Sequence, residues 1–182
     1  MWFTTLHEHP VPLLPWGVAV GATVVAAVTD LRSRRIPNLL TLPLVLSGWI
    51  ASAWACGLAG LADSLSGSVL LAAPFVLLFA FAGGGAGDAK LMGGIGAWLG
   101  VVDGFVTLLA VCLAGLVLGV LFAAAKRRLG AVLANVTRAA YGFLQRSLPA
   151  VDDGQKMPYG LAISAGTIVA AGASWIWRTR TS

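Results

Sequence analysis

Charge is what this sequence has least of. Only 10% of its 182 residues are Asp, Glu, Lys or Arg, and just seven are acidic. A soluble domain carries about 25% charged residues, so a free-standing soluble fold is excluded. Cysteine is nearly missing as well. Cys56 and Cys112 both lie in apolar stretches and form no CxxC pair, which leaves no basis for a zinc site or a disulfide framework. The first ten residues hold no Lys or Arg, so the basic segment that opens a secretory leader is lacking. The first apolar run is therefore expected to persist as a membrane helix. The net charge of +5 invites a nucleic-acid partner, but its distribution along the chain serves membrane topology instead.

Apolar length is what the chain has in abundance. It is 58% hydrophobic, with a mean hydropathy of +0.88. Runs of roughly 17 to 20 residues recur, each long enough to cross about 30 Å of hydrocarbon as a helix. The pattern predicts an all-α, polytopic membrane protein, a single integral-membrane domain over residues 1–182. About six transmembrane helices are expected, near 11–29, 39–58, 68–82, 91–102, 105–125 and 158–177. Their apolar character runs all round the helix, which suits lipid and bundle burial. The fourth is short, and is expected to cross tilted or closely packed through Gly93, Gly94, Gly96 and Gly100 rather than re-enter. A stretch at 129–148 repeats apolar residues at helical spacing among Asn135, Arg138, Gln145 and Arg146. It reads as a basic amphipathic helix on the cytoplasmic surface, with a soluble hairpin or disordered loop as the alternative.

Orientation follows from the basic residues. With the N-terminus outside, ten of the twelve Lys and Arg fall in the cytoplasm, and only Arg178 and Arg180 lie outside. The opposite orientation inverts that ratio and breaks the positive-inside rule. Trp2, Trp16, Trp49, Trp54, Trp98, Trp175 and Trp177 mostly fall near predicted helix ends and read as interface anchors. His7 and His9 fall on the outer side, far from any other candidate ligand, and no metal or cofactor is expected.

Two short blocks carry the chemistry. One is Asp30-Leu31-Arg32-Ser33-Arg34-Arg35-Ile36-Pro37-Asn38, the other Gly83-Gly84-Gly85-Ala86-Gly87-Asp88-Ala89-Lys90. Each puts a carboxylate at the mouth of an apolar segment, and in this topology both mouths open on the cytoplasmic side. An ionisable residue there is costly enough to need a reason. Two close carboxylates cannot both ionise easily, so one proton is shared between them. One carboxyl can then draw a proton from water while the other polarises a carbonyl, which is aspartic-protease chemistry. The dipoles at the helix ends argue for Asp88 as the base and Asp30 as its protonated partner. Glycines around Asp88 allow a peptide to approach closely. Each aspartate taken alone can also be a solvated helix end or an N-cap. Asp63 and Asp103, in predicted outer loops, read as solvated.

These blocks, with Met157-Pro158-Tyr159-Gly160 before the last helix, resemble the prepilin peptidases. Those are membrane aspartic proteases with a GxGD motif, which preflagellin peptidases and, more distantly, presenilins share. The resemblance implies that Asp30 and Asp88 are the two catalytic aspartates. It implies that Gly85 and Gly87 are the motif glycines and Lys90 the basic residue that commonly follows. Lys90 could anchor a substrate acid, tune Asp88, or serve only as an inside-positive charge. Pro37, Asn38, Pro158, Tyr159 and Gly160 are the remaining loop or substrate candidates. The implied reaction is removal of a short basic leader from a prepilin at the cytoplasmic face of a bacterial inner membrane. The larger relatives carry an N-terminal domain with paired CxxC motifs that methylates the new N-terminus. This chain shows neither feature, and looks like the short form that serves tight-adherence (Flp) pili. A small proton-coupled transporter, or a silent assembly scaffold for a pilus or secretion system, are the rival functions.

Overall fold

The structure, a computed structural model, describes residues 13–33, 36–82, 85–125 and 159–181. The expected surface helix at 129–148 and Pro158 lie outside them, as do Trp2, His7 and His9. Four helices make up the described chain: α1 (Leu13–Ser33), α2 (Asn38–Ala82), α3 (Ala86–Ala125) and α4 (Tyr159–Thr181). All four are long and apolar enough to cross a membrane.

Two of them are longer than any single crossing. The 45 residues of α2 and the 40 of α3 would measure about 68 and 60 Å if straight, twice the thickness of the hydrocarbon layer. Each is broken. In α2 the helical angles fail at Cys56 and at Gly57, where φ is +60°; in α3 they fail at Gly100, where φ is +70°. Both glycines take a backbone conformation that side-chain-bearing residues rarely adopt.

The chain folds back at each break. Trp49 Nε1 donates to Ser68 Oγ at 3.0 Å, although nineteen residues of straight helix would hold them about 28 Å apart. In α3, Gly96 before the break rests on Gly67, and Gly104 after it rests on Leu71. Both halves of α3 therefore run along the second half of α2. The outcome is six helical legs drawn from four helices.

The sequence predicts a loop before residue 68, but 58–67 is helical. Its small polar residues are packing surfaces rather than breakers. Ser64 Oγ donates to the Ala97 carbonyl at 2.6 Å, and a Cβ on Gly96 would strike the Gly67 carbonyl. Asp63 is not merely solvated as expected. Its Oδ1 accepts the N–H of Val101 at 3.2 Å, capping the leg that restarts after Gly100.

The first leg of α3 lies at the centre. Leu91, Met92 and Ile95 are fully buried. Leu44 covers Gly94, and Ala97 sits against Gly48 on the first leg of α2. Trp16 is buried, and Trp49 and Trp98 are half-buried with their indole N–H groups bonded within the bundle, so these three serve packing. Trp98 Nε1 donates to the Leu44 carbonyl at 3.0 Å. Trp54, Trp175 and Trp177 are exposed, as anchors require. On the other flank, α4 packs on α3 with Gly166 against the Val111 backbone, and lies beside α1.

Candidate active site

Four helix ends meet at one end of the bundle: the C-terminal end of α1 and the N-terminal ends of α2, α3 and α4. Asp30 stands in the last turn of α1, which continues to Ser33 rather than ending near residue 29. Asp88 stands in the first turn of α3, which begins at Ala86 rather than near residue 91. Both aspartates are half-buried.

Each carboxyl has its own local support. The Gly160 N–H, in the first turn of α4, donates to Asp30 Oδ2 at 3.0 Å. The Asp88 N–H donates to the Gly85 carbonyl at 3.1 Å, closing the turn into α3. The Asp88 side chain lies over Gly85 so closely that a Cβ there would meet Oδ2 at 2.6 Å. A side chain at this position would therefore displace the Asp88 carboxyl. Gly87 has a different neighbour, since a Cβ on it would meet Ile36 Cβ at 3.0 Å. The turn bearing Asp88 thus presses against the connection that follows Asp30.

The remaining candidates fall around the pair. The Pro37 carbonyl accepts the N–H groups of Leu40 and Thr41 at 3.0 and 3.4 Å, opening α2. Asn38 Oδ1 accepts a hydrogen bond from Lys90 Nζ at 2.9 Å. Lys90 is therefore engaged across the two connections. Tyr159 is exposed at the start of α4, and no hydrogen bond joins its side chain to the pair among the described residues. Among those same residues no three His, Cys, Asp or Glu side chains converge as a metal site would require.

The helix ends on which the dipole argument rests are present, with Asp30 in the last turn of α1 and Asp88 in the first turn of α3, and a further N–H donor is added to them. The N–H that reaches the pair belongs to Gly160 and lands on Asp30. Sequence reasoning also missed Ile36 as the surface on which Gly87 rests, and Thr41. The Thr41 hydroxyl, one turn into α2, is buried without a hydrogen-bond partner among the described residues. An apolar neighbour such as Ile36 carries no chemical signature. Glycine at 85 and again at 87, beside an acid, is the signal that could have prompted a search for one.

Two carboxyl groups at one end of a bundle, each seated against a glycine, have the chemistry to activate water against a peptide carbonyl. Comparison with known proteins points to a peptidase. A profile of the Type IV leader peptidase family matches residues 17–120, more than half of the chain. The matched stretch contains both aspartates and ends before α4. No curated protein and no solved structure matches the chain significantly. By this match the chain belongs to the Type IV leader peptidase family, a family of proteases, and its four long apolar helices make it a multi-pass membrane protein.

Proposed function

We propose that this protein is an aspartic endopeptidase in which Asp30 and Asp88 form the catalytic pair. Its substrates are Flp-type prepilins or related pseudopilins, whose short basic leader it removes at the cytoplasmic face of a bacterial inner membrane. The observation that carries this reading is the meeting of helix ends that bear the two aspartates: the turn of Asp88 packs through Gly87 on Ile36, just after α1, and Asp30 is held by the Gly160 N–H at the same end of the bundle. One carboxylate takes a proton from water as its oxygen attacks the scissile carbonyl. The other carboxyl gives its proton to the carbonyl oxygen. Collapse of the tetrahedral intermediate breaks the C–N bond, and the departing amine takes up a proton from the pair. No covalent intermediate or cofactor is needed.

The six legs are read as six crossings, with the N-terminus outside and the catalytic end in the cytoplasm, the arrangement favoured by the basic residues. The four helices act as one membrane domain. A proton-coupled transporter fits less well, because the aspartates sit at helix ends whereas transport sites usually lie near the bilayer midplane.

The test is co-expression with a Flp-type prepilin, followed by gel-shift and N-terminal sequencing. Wild type is expected to cleave. Asp30→Asn and Asp88→Asn are each expected to lose about 10²- to 10⁴-fold in rate, the usual contribution of a positioned acid or base. Either variant cleaving at the wild-type rate would sink the two-aspartate mechanism. A folded wild type inactive on several prepilins would favour the scaffold.

A further inference from the structure

The contact between Gly160 and Asp30 joins residues 130 positions apart and brings in a helix outside the matched stretch. The first N–H groups of any helix have no acceptor within it, so this one is free to serve a partner. Here it serves Asp30 Oδ2 at 3.0 Å, with the positive end of the α4 dipole behind it. The approach leaves no room for a side chain. A Cβ on Gly160 would meet both Asp30 Cβ and Oδ2 at 3.0 Å, and the Ala27 Cα at 3.4 Å.

Nor is the donor loosely placed. Further along α4, Ile163 is fully buried, and Gly166 meets the backbone of α3 at Val111. The same α3 carries Asp88. The start of α4 is thus registered against the helix of one aspartate while it grips the carboxyl of the other.

We infer that Gly160 is a positioning residue of the leader-peptidase reaction: its backbone N–H fixes the Asp30 carboxyl at the end of the bundle where Asp88 also stands. The active site is then built from three helices, with α4 completing a pair that α1 alone leaves unfixed. This rests on the proposed role of Asp30 as a catalytic carboxyl. Glycine is required because any side chain pushes the carboxyl aside, and the N–H is required because it sets the carboxyl's rotation.

Two measurements test this, one independent of activity. In the full-length protein in detergent, hydrogen exchange at the Gly160 amide is read by NMR in wild type and in Asp30→Ala. Loss of the acceptor is expected to speed exchange at Gly160 about tenfold or more, as a first-turn N–H has no other partner. Unchanged exchange would overturn the inference, and this readout needs no substitution at Gly160. Cleavage kinetics supply the second arm. Gly160→Ala, which crowds Asp30, and Gly160→Pro, which also removes the N–H, are expected to lower kcat about a hundredfold. Their KM should stay within about twofold of wild type, as for an interaction that orients a reacting group. Leu161→Ala, on the next residue, should cleave like wild type. A folded Gly160→Pro that cleaves at the wild-type rate would overturn the inference. Fast exchange in Asp30→Ala together with a wild type inactive on prepilins would instead refute the peptidase reading and leave the contact standing.

Discussion

Lys90 Nζ donates to Asn38 Oδ1 across 2.9 Å, tying the first turn of α3 to the first residue of α2. The bond spans the two connections that carry the catalytic candidates, and it lies at the exposed surface. If fastening those connections is its function, Lys90→Met and Asn38→Ala should slow cleavage by similar factors. About three- to tenfold is expected, equivalent to roughly 1 kcal/mol for one such bond. The double variant should add nothing, because both substitutions delete the same interaction. A Lys90→Met loss far larger than that of Asn38→Ala would show that Lys90 meets the substrate directly.

Glycine substitutions should divide sharply by position. A Cβ on Gly96 would strike the Gly67 carbonyl, which is backbone and cannot turn aside, whereas one on Gly21 meets nothing within 4 Å. Gly96→Ala is expected to cost about 3 kcal/mol or more, at the upper end of overpacking penalties. Gly21→Ala should be neutral, or stabilising by up to about 1 kcal/mol through helix propensity. Thermal melts in detergent read both, and equal melting temperatures would refute the close crossing of α2 and α3.

At the opposite turn of α3, Asp63 caps the leg beginning at Val101. Asp63→Ala should lose about 1 kcal/mol, a typical capping loss, while Asp63→Asn, still an acceptor, should retain most of it. Gly100→Ala should fare worse than either, since φ is +70° and the added methyl would run into the Asp63 carboxylate. A Gly100→Ala variant as stable as wild type would mean the break lies elsewhere.

Two carboxyls and a water need no metal for peptide hydrolysis. Exhaustive treatment with EDTA is therefore expected to leave prepilin cleavage unchanged. A loss that a divalent cation restores would move the mechanism to a different class.

Much of this was legible in the residues. That Asp30 and Asp88 come to one end of the bundle could be read before any coordinates. They are rare charges at the mouths of apolar runs, put on one side by the basic residues, and the cost of holding carboxyls at a membrane boundary argues that they act there. The turn around Gly85 and Gly87 was likewise visible as glycine flanking an acid. The helix at 58–67 was not. Gly60, Asp63, Ser64 and Gly67 read as loop residues on local propensity, and only contacts such as those with Ala97, Gly96 and Gly100 turn the segment into a packing face. Lys90 with Asn38 and Gly160 with Asp30 were hidden for another reason. Such pairings depend on how far each helix slides along its neighbours, which no spacing within one segment encodes.

The two helices that carry the aspartates differ in one respect with a long reach. On α3 every residue from Leu91 to Ala97 is buried, so each has neighbours on all sides that fix its volume. On α1, Val24, Val25, Val28 and Leu31 are exposed, and any apolar residue of similar size serves there. As lineages diverge from this chain, substitutions will accumulate along the outer flank of α1 and spare the helix behind Asp88. The pair will thus age unevenly, one aspartate on a drifting scaffold and the other on a nearly frozen one.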